Sequence, residues 1–377
     1  MQRDTLVVCL TLGILIGAQT HRGYQNFHPR TAPLSEISGI THHHSDPDLF
    51  WVHNDSLDQP RLFLITKQGE ERAEVHIQPA DRSKVSHVDW EDIASSRLDP
   101  IDGENVIYVA DSGNNFHWRS DLKIYAFQNL DGPSAQLKLI RTYPYQLPNQ
   151  TQRPPTGFSP SRCLDSEALF WRRGELYLIG KCVLGGPTPI WHLPRQSGHV
   201  SETIQAKKVA TLPIPPSAHP LFARVTAADY HHELDWLAVL TYRSVWVFKL
   251  SQTSGPSEDD PSEVSITEVT HCLLESVIPL SVSQAEGITW VENTTPVLRG
   301  KTDQPPETMR PALYHELLIL TEAGRVHSLS VDTHTQGCRY GFSQWLHPLQ
   351  RSATHRSNNW PIVDDLGRGH GAGRDRR

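Results

Sequence analysis

Five times along the chain an acidic residue stands in a small-apolar context and opens a set of short strand-forming runs. No other feature constrains the fold as strongly. The acids are Glu36 in SEISGI, Glu91 in WEDIA, Glu167 in SEAL, Asp229 in AADY and Glu286 in AEGI, at intervals of 55, 76, 62 and 57 residues. A second run follows each acid and ends in polar residues: His53-Asn54-Asp55, Asp111-Ser112-Gly113-Asn114-Asn115, Gly180-Lys181, Thr241-Tyr242-Arg243 and Thr321-Glu322. A third follows as RLFLIT, LKIYAF, PIWHL, VWVFKL or RVHSL, and a variable fourth closes the unit. The runs have strand length and are rich in Val, Ile, Tyr and Trp. Four antiparallel strands repeated at this period describe an all-β chain, a β-propeller. Five blades are counted, and a sixth is possible in the divergent stretches, for example around residues 251–283 or 331–350.

Composition agrees with this reading. Gly 24 and Pro 28 in 377 residues suit a chain of strands and turns, and 37% hydrophobic residues suffice for a core. A formal net charge of −7 lacks the basic footprint of a nucleic-acid binder. At the N-terminus, Leu6 to Ala18 is apolar but short of the roughly 20 residues that span a membrane, and Gly17-Ala18 offers a cleavage site. Residues 1–18 are therefore expected to be a signal peptide, 19–33 an N-terminal segment, 34–350 the propeller, and 351–377 a disordered Gly/Arg-rich tail. Export to a secreted or periplasmic location makes the four cysteines beyond Cys9 candidates for two disulfides. The preferred pairing is Cys163–Cys182 and Cys272–Cys338. The first pair brackets a hairpin whose ends are neighbours, and neither spacing fits zinc.

The repeat also implies a site. In a blade the start of the innermost strand and the end of the second emerge on one face. Glu36, Glu91, Glu167, Asp229 and Glu286 are thus expected to converge with Asp55, Asp111, Lys181, Arg243 and Glu322 at one channel mouth. Eight carboxylates against two cations repel one another, and hard oxygen ligands favour Ca²⁺. Glu36, Asp55, Glu91, Asp111, Glu167 and Glu286 are the expected metal ligands. Asn54, Asn114, Asp229, Tyr242 and Glu322 are expected to contact a ligand, and Lys181 and Arg243 to clamp its anionic group. The alternative is architectural: each acid only bonds backbone N–H groups or bridges blades. The tracts His42-His43-His44 and His231-His232 fit hairpin loops better than a metal site.

The ordered series SGIT…LFWVHNDS, DWEDIA…IYVADSGNN, DSEALF…ELYLIGK, VTAAD…LAVLTYRSVWVF and QAEGITW…LILTE resembles a family of secreted bacterial β-propellers, often labelled WD40-like. That family lies near the phytase-like propellers named for "esterase-like activity of phytase". The resemblance covers roughly residues 34–330. The design is similar to calcium-dependent β-propeller phytases and calcium-activated nucleotidases, which implies channel carboxylates holding Ca²⁺ against phosphate oxygens. The chain departs from the pattern at Ala285-Glu286-Gly287, where Gly-Glu-Ala is expected, and at Asn114, where Asp is commoner. Two function classes follow. One is a metal-dependent hydrolase of phosphoesters or related esters, since no serine nucleophile elbow is present. The other is a non-catalytic propeller that binds a small ligand or a protein. The chain is expected to be a monomer with a small anionic ligand, and to engage neither nucleic acid nor, beyond the signal peptide, a membrane.

Overall fold

The computed structural model describes residues 34–345, apart from 35, 57, 116–118, 131–135, 149–162, 183–185, 196–201, 217–219, 253–263, 275–283, 292–313, 323 and 333–337. The expected signal peptide, the C-terminal tail and most of the long insertions lie outside the described residues. The described chain forms twenty-one strands and two short 3₁₀ turns, at Arg82–Lys84 and Pro220–Ala223. No described helix is long and apolar enough to cross a membrane.

Blade 1 is β1 (Ile37–His42), β2 (Leu49–Asn54), β3 (Arg61–Thr66) and β4 (Glu71–His76), paired in that order. Blade 2 is β5 (Trp90–Asp99), β6 (Gly103–Asp111), β7 (Lys123–Leu130) and β8 (Gln136–Gln146). Blade 3 takes β9 (Asp165–Arg172), β10 (Glu175–Lys181), β11 (Thr188–Leu193) and β13 (Lys207–Leu212). The two-residue β12 (Ile204–Gln205) first crosses back to pair in parallel with the edge of β8. Blade 4 is β14 (Val225–His231), β15 (Trp236–Thr241), β16 (Ser244–Gln252) and β17 (Val264–Leu273). Blade 5 is β18 (Ala285–Trp290), β19 (Tyr314–Thr321), β20 (Arg325–Asp332) and β21 (Cys338–Trp345). The inner strands β1, β5, β9, β14 and β18 pack on one another in turn, and β18 returns to β1. The ring is a five-bladed β-propeller.

Burial explains the sequence pattern. β1, β3, β11 and β15 are buried along their whole length, because neighbouring blades cover both faces, so their sequences do not alternate. The outer strand β4, ERAEVH, is mostly exposed or half-buried. The apolar side chains form five clusters, and each fills one interface between adjacent blades. Both disulfides are present in the expected pairing: Cys163–Cys182 with Cα atoms 4.3 Å apart, and Cys272–Cys338 with 6.0 Å.

Every inner strand carries a bulge near its start. In β5, Trp90 pairs with Asp111 and Asp92 with Ala110, which leaves Glu91 outside the ladder. The same break isolates Glu167 in β9, Thr226 in β14, Glu286 in β18 and Gly39 in β1. A bulge re-aims one side chain and stops the strict two-residue alternation. Gly39 fills its bulge at φ 78, where side chains are disfavoured, and a Cβ there would lie 2.8 Å from the His53 ring.

Candidate functional site

The bulges set the true correspondence between blades. Directly before the inner strands stand Glu36, Asp89, Leu164, Arg224 and Gln284. Directly after the second strands stand Asp55, Ser112, Cys182, Tyr242 and Glu322. The bulge positions bring Glu91, Glu167 and Glu286 from blades 2, 3 and 5. All of these but Leu164, Ser112 and Cys182 line one cavity of about 270 Å³, whose wall is Glu36, Asp55, Asp89, Glu91, Glu167, Lys181, Arg224, Tyr242, Glu286 and Glu322, with Ile37, Ser38, Ser56, Asn115 and Gln284. Seven carboxylates thus share the wall with two cationic side chains.

Of the ten residues expected at the mouth, the cavity takes Glu36, Asp55, Glu91, Glu167, Lys181, Glu286 and Glu322, together with Tyr242. Asp111, Asp229 and Arg243 do not line it, and register is the reason. Asp111 is the last ladder residue of its strand, one position short of Asp55 and Glu322; it is fully buried and paired with Arg119 at 2.7 Å. Arg243 stands one position too far, with its guanidinium 4.7 Å from the Phe222 ring centroid. Asp229 lies three residues past its bulge and bridges blades, accepting bonds from Thr289 Oγ1 at 2.7 Å and Trp290 N at 2.8 Å. That is the architectural role weighed for all the inner-strand acids. Neither asparagine lines the cavity: Asn54 donates to Asp58 at 2.7 Å, and Asn114 Oδ1 accepts from the Arg119 backbone N–H at 2.9 Å.

Sequence reasoning missed Asp89, Arg224 and Gln284. Asp89 was in view in HVDWEDIA, where three acids stand within four residues, but acidic context alone cannot say which one precedes the strand. Asp92, also in that run, is 1% exposed. It accepts N–H bonds from Ile93 at 2.9 Å, Leu169 at 2.8 Å and Ala228 at 3.2 Å, tying blades 2, 3 and 4 together across the channel.

Within the cavity, carboxylate oxygens of Asp55, Asp89 and Glu91 lie within 4.8 Å of one another. Asp55 Oδ1 is buried and has no hydrogen-bond partner among the described residues. The backbone of Gly113 presses on this group, since a Cβ there would lie 2.2 Å from both Asp89 Oδ2 and Glu91 Oε1. Burial pushes Asp55 up to about 6, with Glu322 and Glu36 adding to the rise. Burial and then Asp55 and Asp165 push Asp89 up to about 7. Glu91 is pushed well above the usual range by burial and by Glu167 and Asp89. Burial raises Glu286 to about 8 against the pull of Lys181. Lys181 is ion-paired with Glu167, and its ammonium lies 5.6 Å from the Tyr242 ring centroid. Burial alone would lower Lys181, but Glu167 holds it well above its ordinary value.

No family model matches the chain, and no curated protein sequence matches it. Among solved structures, the chain is similar to the periplasmic gluconolactonase PpgL of Pseudomonas aeruginosa, at 11% identity and a TM-score of 0.43, covering 84% of this chain and 87% of that one. It is also similar to a protein from Lactobacillus plantarum, at 9% identity and a TM-score of 0.35, over 82% of this chain and 70% of that one. A third likeness is to the complex of KlAtg21 with the AgAtg16 coiled coil, at 11% identity and a TM-score of 0.31, over 82% and 71%. At these values the likenesses assign no activity.

Proposed function

We propose that the protein is an extracytoplasmic β-propeller that binds a hard divalent cation, Ca²⁺ by preference, at its acidic channel mouth. The observation that carries this reading is the triad Asp55, Asp89 and Glu91, with carboxylate oxygens within 4.8 Å and a buried Asp55 oxygen that has no hydrogen-bond partner among the described residues. Three carboxylates that close resist ionisation unless a cation joins them. An all-oxygen donor set matches calcium rather than zinc. Two disulfides fit an oxidising secreted or periplasmic setting.

Asp55, Asp89 and Glu91 would hold the ion, and Glu286 and Glu322 face the same cavity. A bound cation would supply Lewis acidity to an oxyanion or ester oxygen. Among the described residues, blade 4 lines the cavity with Arg224 and Tyr242 and with no acid, so an anionic group is best accommodated on that side. Arg224 lines the cavity and Arg243 does not, which favours Arg224 over Arg243 for contact with such a group. The cavity volume limits the ligand to a small molecule or the end of a larger one. Hydrolysis of a phosphoester or related ester is the catalytic form of this reading. Metal analysis of the purified protein, followed by a phosphoester panel with and without EDTA, tests it. Stoichiometric calcium with EDTA-sensitive turnover is expected. Calcium without turnover on any ester would leave a non-catalytic binding propeller, and no bound cation would refute the proposal.

A further inference from the structure

The cation site draws on two loops from different blades, and the structure contains a set of contacts that holds those loops together. This inference rests on the cation reading above. Asp55 follows β2 in blade 1, while Asp89 closes the segment that leads into β5 in blade 2. His87 sits between them. Its Nε2 bonds the backbone carbonyl of Asp55, and its Nδ1 lies 3.2 Å from the carbonyl of Gln59. The ring stacks on Trp90, with centroids 4.2 Å apart and planes 9° from parallel. The Asp55 backbone is thereby clipped to the segment that carries Asp89.

A second clip acts from behind. Asp111 Oδ1 accepts the Asp89 N–H at 3.2 Å and the Arg119 guanidinium at 2.7 Å. Arg119 Nη1 also donates to the Gly113 carbonyl at 3.0 Å. The Ser112 and Gly113 N–H groups each bond the Asp89 carbonyl at 3.1 Å. Asp89 is thus fixed at its N–H and its carbonyl, and the Gly113 backbone forms the wall against which its carboxylate and that of Glu91 rest. None of these bonds uses a cavity-facing oxygen of the triad.

We propose that His87 and the Asp111–Arg119 pair are positioning residues that preform the cation site, by fixing the backbones of Asp55 and Asp89 so that mutually repelling carboxylates are held at binding distance before the ion arrives. Preorganisation of this kind raises affinity by removing the ordering cost from the binding step. The alternative is that the contacts only stabilise the blade 1–blade 2 interface, in which case they affect folding and not affinity.

Calorimetric titration with Ca²⁺ alone separates the two, using the full chain with His87→Phe, Arg119→Gln and Arg119→Lys, alongside metal-free melting curves. His87→Phe keeps the stack on Trp90 and removes the ring N–H that donates to these carbonyls. The expected result is at least a tenfold loss of Ca²⁺ affinity in His87→Phe and Arg119→Gln, with partial recovery in Arg119→Lys. Melting without metal should move little in His87→Phe. Unchanged affinity in the folded variants overturns this inference and leaves the cation site standing. If Arg119→Gln does not fold, His87→Phe decides alone. If the parent takes up no Ca²⁺, the cation reading and this inference fall together.

Discussion

At the scale of residues, charge balance in the cavity makes definite demands. Lys181 and Glu167 form a buried pair, so Lys181→Ala should leave a carboxylate without its cation. Breaking such a pair costs roughly 3–5 kcal/mol when the remaining group must stay charged. Burial already holds Glu167 well above the usual range, so it escapes by taking a proton. Lys181→Ala should therefore cost up to about 3 kcal/mol where Glu167 is ionised and clearly less at a lower pH where it is protonated, which denaturant melts at two pH values will show. Equal losses at both would mean that Glu167 does not titrate. Gly113→Ala probes the triad directly. The added methyl meets Asp89 and Glu91 oxygens 2.2 Å away, so it should weaken Ca²⁺ binding at least tenfold in a direct titration. A variant that binds like the parent would mean that those two oxygens are not both ligands.

At the scale of elements, strands and blades could be read from the chain, but the register could not. RLFLIT, VWVFKL and LKIYAF are strand-length apolar runs, and each lies in a third strand. Glu36, Glu91 and Asp229 looked alike because each sits among small apolar residues. The bulges place them before, on and three residues after the same structural position. A one-residue insertion in a strand reverses which side chains face inward, and local composition does not record it. Asp229 was misplaced for this reason and Asp89 was passed over, while Asp111 and Arg243 stand one residue before and one residue after the position that directly follows the second strand. Asp92 shows how much the inner strands depend on one bulge neighbour. Asp92→Ala removes the acceptor for three buried N–H groups, each costing about 1–3 kcal/mol when left unpaired. The variant should lose about 3 kcal/mol or more by denaturant unfolding, and a loss below about 1 kcal/mol would show that water or backbone relaxation replaces the carboxylate.

At the scale of the whole molecule, the titrating groups oppose one another. Asp55, Asp89 and Glu286, raised to about 6, 7 and 8, keep protons in the metal-free native state that the unfolded chain has already released. Their stabilising contribution is complete below about pH 4 and is lost as the pH climbs through 6 to 8. His42, His44 and His53 are lowered to about 3, and His231 and His327 to about 4, with burial the leading cause in each. The unfolded chain protonates these histidines first, so stability falls as the pH drops from about 6.5 towards 3. Metal-free melting from pH 3 to 9 should therefore peak near pH 5–6, and stability that rises steadily to pH 9 would contradict this balance. Calcium should act most strongly where the protons have left. The most direct measurement is the melting temperature at pH 8 in millimolar Ca²⁺ against EDTA. A cation that binds only the folded ring adds RT ln(1 + [L]/Kd), about 2.7 kcal/mol at a hundredfold excess over Kd. A clear rise with Ca²⁺, abolished by Asp55→Asn with Glu91→Gln, is the predicted result, and superimposable curves in Ca²⁺ and EDTA would contradict the cation site.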